Sequence, residues 1–169
     1  MSRSSVKLDT IDLKILRELQ ADASLPLTDL ADRVGVSQTP CWRRVQKLEA
    51  AGIIRKRVTL LDRAQLNVGV TVFIAVRTNK HSVEWLETFA RAVQDIPEIV
   101  DFYRMSGEID YLLKAHVPDI GSYDALYKKL ISKVELTDVT SMFAMQELKS
   151  TTEIPLQFAN AGPLGAAGA

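Results

Sequence analysis

The chain has 169 residues, 47% apolar and 25% charged, enough for one ordinary domain or two small ones of globular type. No stretch approaches the roughly 18 apolar residues of a membrane span, and the opening "MSRSSVKLD" has no apolar signal core, so no membrane partner and a cytoplasmic location are expected. A single Cys41 and two separated histidines, His81 and His116, exclude an internal disulfide framework and a Cys/His zinc cluster, so neither metal nor cofactor is expected. The net charge of zero hides an asymmetry: residues 1–67 hold 12 Lys/Arg against 8 Asp/Glu, and residues 68–169 hold 9 against 13. A basic patch confined to one segment implies an anionic partner for that segment alone.

In chain order, "LDTIDLKILRELQA" (residues 8–21) has helical spacing, with Asp9 as N-cap and Asp12 near the positive helix end. "LTDLADRV" reads as a second short helix, with Thr28 as a possible cap and Gly35 ending it in the left-handed conformation. Ser37 then caps a third helix whose first turn tolerates Pro40. Cys41, Val45 and Leu48 share one face of it. Thr39, Trp42, Arg43 and Gln46 lie largely on the other, with Arg44 and Lys47 at the flank. Ala31 falls where two such helices would cross closely. Three short helices turning at Gly35 make a helix-turn-helix. "IIRKRVTLLD" follows, basic and β-prone, and is expected to form wing strands or a strand leaving the domain. "RAQLNVG" is a polar connector.

From Val70 the period changes. "VTVFIAVR" is the near-continuous β-branched run of a central strand. A helix capped by Ser82 follows, with Trp85, Phe89, Val93 and Ile96 on one stripe. Then come a strand "IVDFYRM", a turn "SGEID", a strand "YLLKAHV", and a helix with Ile120, Tyr123, Tyr127, Leu130 and Val134 on one face. "VTSMFAMQEL" is the last strand. The order βαββαβ is that of a ferredoxin-like sandwich. The division expected is therefore residues 1–62, a connector at 63–69, residues 70–154, and a flexible tail at 155–169.

A helix presenting Arg and Lys at its N-terminal half fits the major groove of duplex DNA. Arg43 and Gln38 are assigned to base edges. Ser37 and Thr39 sit at the helix N-terminus, where free N–H groups favour phosphate. Arg44, Lys47, Arg55, Lys56 and Arg57 are assigned to phosphates, which position without specifying. The plainer reading of any charge run is a solvated face, but here cap, turn glycine and clustering coincide. Trp42 suits stacking on sugar or base methyl groups and equally suits packing against the first helix or a partner chain. Cys41 is expected to be a small buried hydrophobe. An enzyme is the least favoured class, because neither histidine has an adjacent nucleophile or carboxylate dyad.

The stretches "LDTIDLKIL", "LADRVGVSQTPCWRRVQKLEAAGII", "SGEIDYLLK" and "VTSMFAMQELKSTTEIP" together resemble the Lrp/AsnC, or feast/famine, family of transcriptional regulators, over about Leu8 to Ile154. The resemblance implies an α+β fold, an N-terminal winged helix-turn-helix plus a C-terminal βαββαβ ferredoxin-like (RAM/ACT-like) domain. It implies a homodimer held by the C-terminal sheets and assembling to tetramers or octamers, a pseudo-palindromic operator, and an amino-acid effector between C-terminal domains. The effector positions it implies are Ser106, Gly107, Glu108, Ile109, Asp110 and Tyr111 in the strand-joining turn, and Thr137, Asp138, Val139, Thr140 and Ser141 before and in the last strand. Tyr103 and Met105 are added from the preceding strand.

The chemistry of those residues is compatible with an amino acid. Backbone N–H groups of a Gly turn hold a carboxylate, and Asp110 or Asp138 pairs with an ammonium. Taken without the resemblance, "GEID" reads as an ordinary hairpin turn with solvated carboxylates. The look of "FYRMSGEIDYLLK" and "YDALYKKL" is similar to a cysteine-detoxification branch of the family, which implies cysteine or a related sulfur amino acid, then branched-chain amino acids and proline. The other reading carried forward is an architectural DNA-binding protein that has no effector.

Overall fold

The computed structural model describes residues 7–160. The chain divides into two compact units, residues up to Thr59 together with those from Lys149 onward, and Leu60–Leu148. No helix among the described residues is long and apolar enough to cross a membrane.

The first unit holds α1 (Thr10–Ala21), α2 (Leu27–Val34) and α3 (Gln38–Ala50). Asp9 caps α1 in a reciprocal box: its carboxylate accepts the Asp12 N–H at 2.8 Å, and the Asp12 carboxylate accepts the Asp9 N–H at 3.2 Å. The N-cap of α2 is Pro26, not Thr28, whose hydroxyl instead donates to Asp29 at 2.9 Å. Gly35 ends α2 at φ 76°, and its N–H returns to Ala31 and Asp32. Ser37 occupies the N-cap of α3 but makes no side-chain cap bond. Ile15, Leu30, Ala31, Val34, Cys41, Val45 and Leu48 form the core, with Ala31 almost fully enclosed as the close helix crossing requires. The basic β-prone segment after α3 forms no strand among the described residues: a strand needs a paired edge, and nothing in this unit supplies one. Val58, Leu60 and Leu61 stay exposed.

The second unit holds β1 (Val70–Arg77), α4 (Val83–Gln94), β2 (Ile99–Arg104), β3 (Tyr111–Val117), α5 (Ile120–Lys133) and β4 (Asp138–Phe143). The sheet is antiparallel, in the order β2-β3-β1-β4 of a ferredoxin-like sandwich. Ser82 caps α4 and Asp119 caps α5, each accepting an N–H three residues on. Val72, Ile74, Val76, Leu113, Ala115 and Val117 meet Phe89, Val93, Ile96, Tyr123, Leu126 and Leu130 in the core. Ile120, expected on the buried face of α5, is exposed at the helix start, and Leu126 takes its place. The connector expected at 63–69 is a structured turn of this unit: Asp62 accepts the N–H of Ala64, and the Val68 N–H returns to Arg63.

Beyond β4 the contacts of the chain change. Residues from Lys149 on group with the helical unit, not with the sheet. Of the tail expected to be flexible, 161–169 lie outside the described residues. Leu156–Phe158, by contrast, form a 3₁₀ turn, and the Asn160 side chain is bonded to Leu8.

Candidate nucleic-acid interface and effector site

The two faces of α3 separate cleanly. Cys41, Val45 and Leu48 are buried; Gln38, Thr39, Trp42, Arg43 and Lys47 are exposed, as is Ser37 before them. Trp42 keeps 52% of its surface exposed and lines a cleft of about 350 Å³ with Leu19, Leu25, Leu27, Leu30 and Val45. Arg55, Lys56 and Arg57 follow α3 and are exposed. None of the ion pairs formed by the described residues of this unit involves Arg43, Lys47, Arg55 or Lys56, so their charge faces solvent; Arg57 reaches Glu49 at 3.2 Å.

Arg44 differs from the others. Its Nη1 donates to Asp9 at 2.5 Å and to Asp12 at 2.7 Å, which turns the guanidinium back onto α1. The Asp12 backbone N–H, and after it Arg44, hold the Asp9 carboxyl below its usual range. Asp12 is almost wholly enclosed, and a buried carboxylate needs a cation beside it. Arg44, expected at phosphates, thus has its guanidinium paired to α1, unlike the other cations of this face. Burial pushes the Cys41 thiol up, which suits a packing residue and not a reactive one.

In the second unit the effector positions gather around the end of β1. The hairpin between β2 and β3 closes with the Met105 N–H on the Asp110 carbonyl at 2.8 Å, and Gly107 within it sits at φ 132°. Glu108 accepts from Arg77 Nη2 at 2.6 Å, and Asp110 Oδ2 accepts the Thr78 N–H at 2.8 Å. On the other side the Thr137 N–H reaches the Arg77 carbonyl, the Asn79 N–H reaches Thr137 Oγ1, and Asp138 stands opposite Arg77 in the sheet. Arg77, Thr78 and Asn79 thus bridge the Gly107 turn and the start of β4. Sequence reasoning missed them, although an antiparallel β1–β3 pair necessarily sets the end of one beside the start of the other.

The side chains of the expected positions split by face. Tyr103, Met105, Ser106, Gly107, Glu108, Thr137, Asp138 and Thr140 are exposed, and Ile109 and Asp110 half-buried. Asp101, first by its charge, raises the Tyr103 phenol above its usual range. Three positions face the helices instead, because residues alternate along a strand. Tyr111 is buried between Trp85, Phe89 and Phe102, with ring centroids 5.3–5.7 Å away. Val139 packs on the core, and the Ser141 hydroxyl bonds the Tyr123 hydroxyl. These three expected effector positions are engaged with the core of the unit. One oxygen of Asp110 is likewise engaged in bracing the turn.

Comparison with known proteins gives these two sites their context. Residues 8–55 match the family model "Winged helix-turn-helix DNA-binding", and residues 71–154 match "Lrp/AsnC ligand binding domain". The glutamate uptake regulatory protein of Zymomonas mobilis is 50% identical over 150 residues, 89% of this chain and 92% of its own. The chain belongs to the Lrp/AsnC family. Another member, the DNA-binding transcriptional activator DecR of Escherichia coli, is 44% identical over 89% of this chain and 99% of its own. Among solved members, an AsnC family transcriptional regulator from Agrobacterium tumefaciens superposes with TM-score 0.87 at 56% identity, over 89% of this chain and 99% of that one. The regulator NMB0573 of Neisseria meningitidis, solved as its L-Met complex, gives 0.85 at 37% identity, over 89% and 98%. The chain is thus a DNA-binding transcriptional regulator of Lrp/AsnC type with the family's ligand-binding domain, and its named relatives are regulators.

Proposed function

We propose that this Lrp/AsnC regulator binds a pseudo-palindromic operator in the cytoplasm, as a homodimer that assembles to tetramers or octamers, and controls amino-acid metabolism in response to an amino acid held between C-terminal domains. The observation that carries the DNA half is the outer face of α3, where Gln38, Thr39, Trp42, Arg43 and Lys47 stand clear of any carboxylate partner among the described residues. Arg43 and Gln38 read base edges. Ser37 and Thr39 at the helix start, with Lys47, Arg55, Lys56 and Arg57, meet phosphates.

Self-association is supported by the sheet face that no helix of this unit covers. Phe73, Ala75, Leu112, Tyr103 and Met142 lie on it in register, an apolar patch suited to a second copy. A two-fold dimer then separates two recognition helices by roughly 34 Å, one turn of DNA.

The effector proposed is a sulfur-containing amino acid, cysteine or methionine. The L-Met complex of the Neisseria relative favours it, and the glutamate-uptake relative makes glutamate the chief rival. Its ammonium would face Glu108 or Asp138 and its carboxylate the N–H groups of the Gly107 turn and Arg77. The test is a thermal-shift screen of the twenty amino acids, followed by band shifts on DNA upstream of the protein's own gene. Cysteine or methionine should raise the melting temperature and change duplex affinity. If no amino acid does either while duplex binding persists, the effector half falls and the architectural reading replaces it.

A further inference from the structure

The C-terminal segment carries a feature that DNA and effector binding leave unused. The Gln20 side-chain amide, at the end of α1, grips the backbone of Ile154 on both sides: Nε2 donates to the Ile154 carbonyl and Oε1 accepts the Ile154 N–H, each at 3.2 Å. The Asn160 amide does the reverse at the start of α1, with Oδ1 accepting the Leu8 N–H at 3.2 Å and Nδ2 donating to the Leu8 carbonyl at 3.0 Å. Ile154–Asn160 therefore runs antiparallel along α1 between two reciprocal amide clasps. Apolar burial contributes little: Ile154 and Phe158 stay largely exposed, and only Leu156 is half-buried. The Gln20 bonds to Ile154 are exposed and compete with water, whereas the Asn160 bonds to Leu8 are half-buried, so the segment is held shut chiefly at Leu8 and can open locally without unfolding α1.

Chain continuity gives the clasps their consequence. The sheet unit is inserted in the helical unit, left by the chain near Thr59 and returned from near Lys149. Residues Ile53–Thr59 and Lys149–Pro155 carry no helix or strand. With the clasps open, one irregular segment joins the units; with them closed, two do.

We propose that Ile154–Asn160 is a latch, and that its closure on α1 raises affinity for operators with two half-sites by restricting the freedom of the DNA-binding unit. A second tether lowers the entropy lost when both recognition helices engage at a fixed spacing, and leaves the contact of each helix with its own half-site unchanged. Gln20 and Asn160 are positioning residues, and the inference rests on the two-fold operator reading above.

The test uses the full chain with Gln20→Ala and Asn160→Ala combined. Hydrogen exchange at Leu8 and Ile154 reports the latch, and exchange within Thr10–Ala21 reports whether α1 stays folded. Band shifts compare a duplex bearing two half-sites with one bearing a single half-site. The variant should exchange fast at Leu8 and Ile154, keep the α1 amides protected, and lose about fivefold on the two-half-site duplex, the low end of inter-site coupling, with no loss on the single one. The latch is overturned if the wild type already exchanges fast at both amides. Its role is overturned if clasp opening leaves two-half-site affinity unchanged, or if both duplexes weaken alike, the mark of simple damage to α1. A wild type that binds neither duplex overturns the operator reading and this role with it, while the two amides still report whether the clasps close.

Discussion

Arg44 on α3 sets its Nη1 2.7 Å from the carboxylate of Asp12 on α1, a side chain only 2% exposed. Its neighbour Arg43 points to solvent. Two adjacent arginines of the same helix thus serve different ends, and substitution should separate them. Arg44→Ala leaves a buried carboxylate without its cation and should lower the stability of the helical unit by about 2 kcal/mol, the usual cost of an orphaned buried polar group. Arg43→Ala should change stability by less than about 0.5 kcal/mol, as surface substitutions do, yet weaken and despecify duplex binding. Denaturant unfolding beside band shifts measures both, and an Arg43→Ala protein with unaltered operator preference would remove Arg43 from base readout.

The remaining cations carry a quantitative expectation. Lys47, Arg55 and Lys56 form no ion pair within the helical unit among the described residues, so each that neutralises a phosphate should release a counterion. Replacing any one with Ala should flatten the slope of log affinity against log salt by about 0.9, equally on specific and non-specific duplexes. Arg57→Ala should flatten it less, because Glu49 already faces that guanidinium at 3.2 Å.

What the sequence revealed and concealed divides by range. The Asp9 cap, the Gly35 turn and the β1 run are local: each depends on residues within a few positions, and the structure has all three. The partner of Arg44 lies 32 residues away, and a helical wheel put the side chain at a flank without saying which helix would meet it. Val58, Leu60 and Leu61 look like strand residues, but a strand requires a second strand, a condition no single segment states. The clasp of Ile154 by Gln20 spans 134 positions between two polar amides, with no periodicity to announce it. At the effector site the alternation of β4 was legible, yet the face each residue takes depended on where the strand begins. That is why Val139 and Ser141 turned inward.

His116 should give the sheet unit a pH dependence above the carboxylate range. Arg63 Nη1 donates to Thr71 Oγ1 at 2.7 Å and to His116 Nδ1 at 2.9 Å, so that nitrogen must be unprotonated, while Arg63 Nη2 holds Glu147 at 2.5 Å. Burial first, then the charges of Arg63 and Lys114, push the imidazole below its ordinary range, against a weaker pull from Glu147 and Asp101. Below about pH 6.5 the unfolded chain takes up a proton that the folded chain still refuses, so stability rises with pH there and falls on acidification. Denaturant midpoints should drop as the pH falls below about 6.5, and His116→Gln, neutral throughout and still an acceptor for Arg63, should flatten that drop. An unchanged profile in the variant would assign the dependence elsewhere.

The Gly107 turn allows conformation and chemistry to be tested apart. At φ 132° an L side chain is strained, although a Cβ there would meet no atom within 4 Å, so the cost of Gly107→Ala is purely conformational, about 1–3 kcal/mol. That variant should lower both the melting temperature and the amino-acid response, and by itself it does not distinguish a distorted turn from a lost contact. Glu108→Gln does. The carboxylate is exposed and its pair with Arg77 is a surface one, worth at most about 1 kcal/mol, so stability should hardly move. If the effector's ammonium faces Glu108, the amino-acid concentration giving half the duplex response should rise about tenfold or more, since a charge-assisted hydrogen bond is worth about 1.5–3 kcal/mol. A response curve superimposable on wild type for Glu108→Gln and for Asp138→Asn alike would leave the turn a brace for Thr78 and move the effector site away from it.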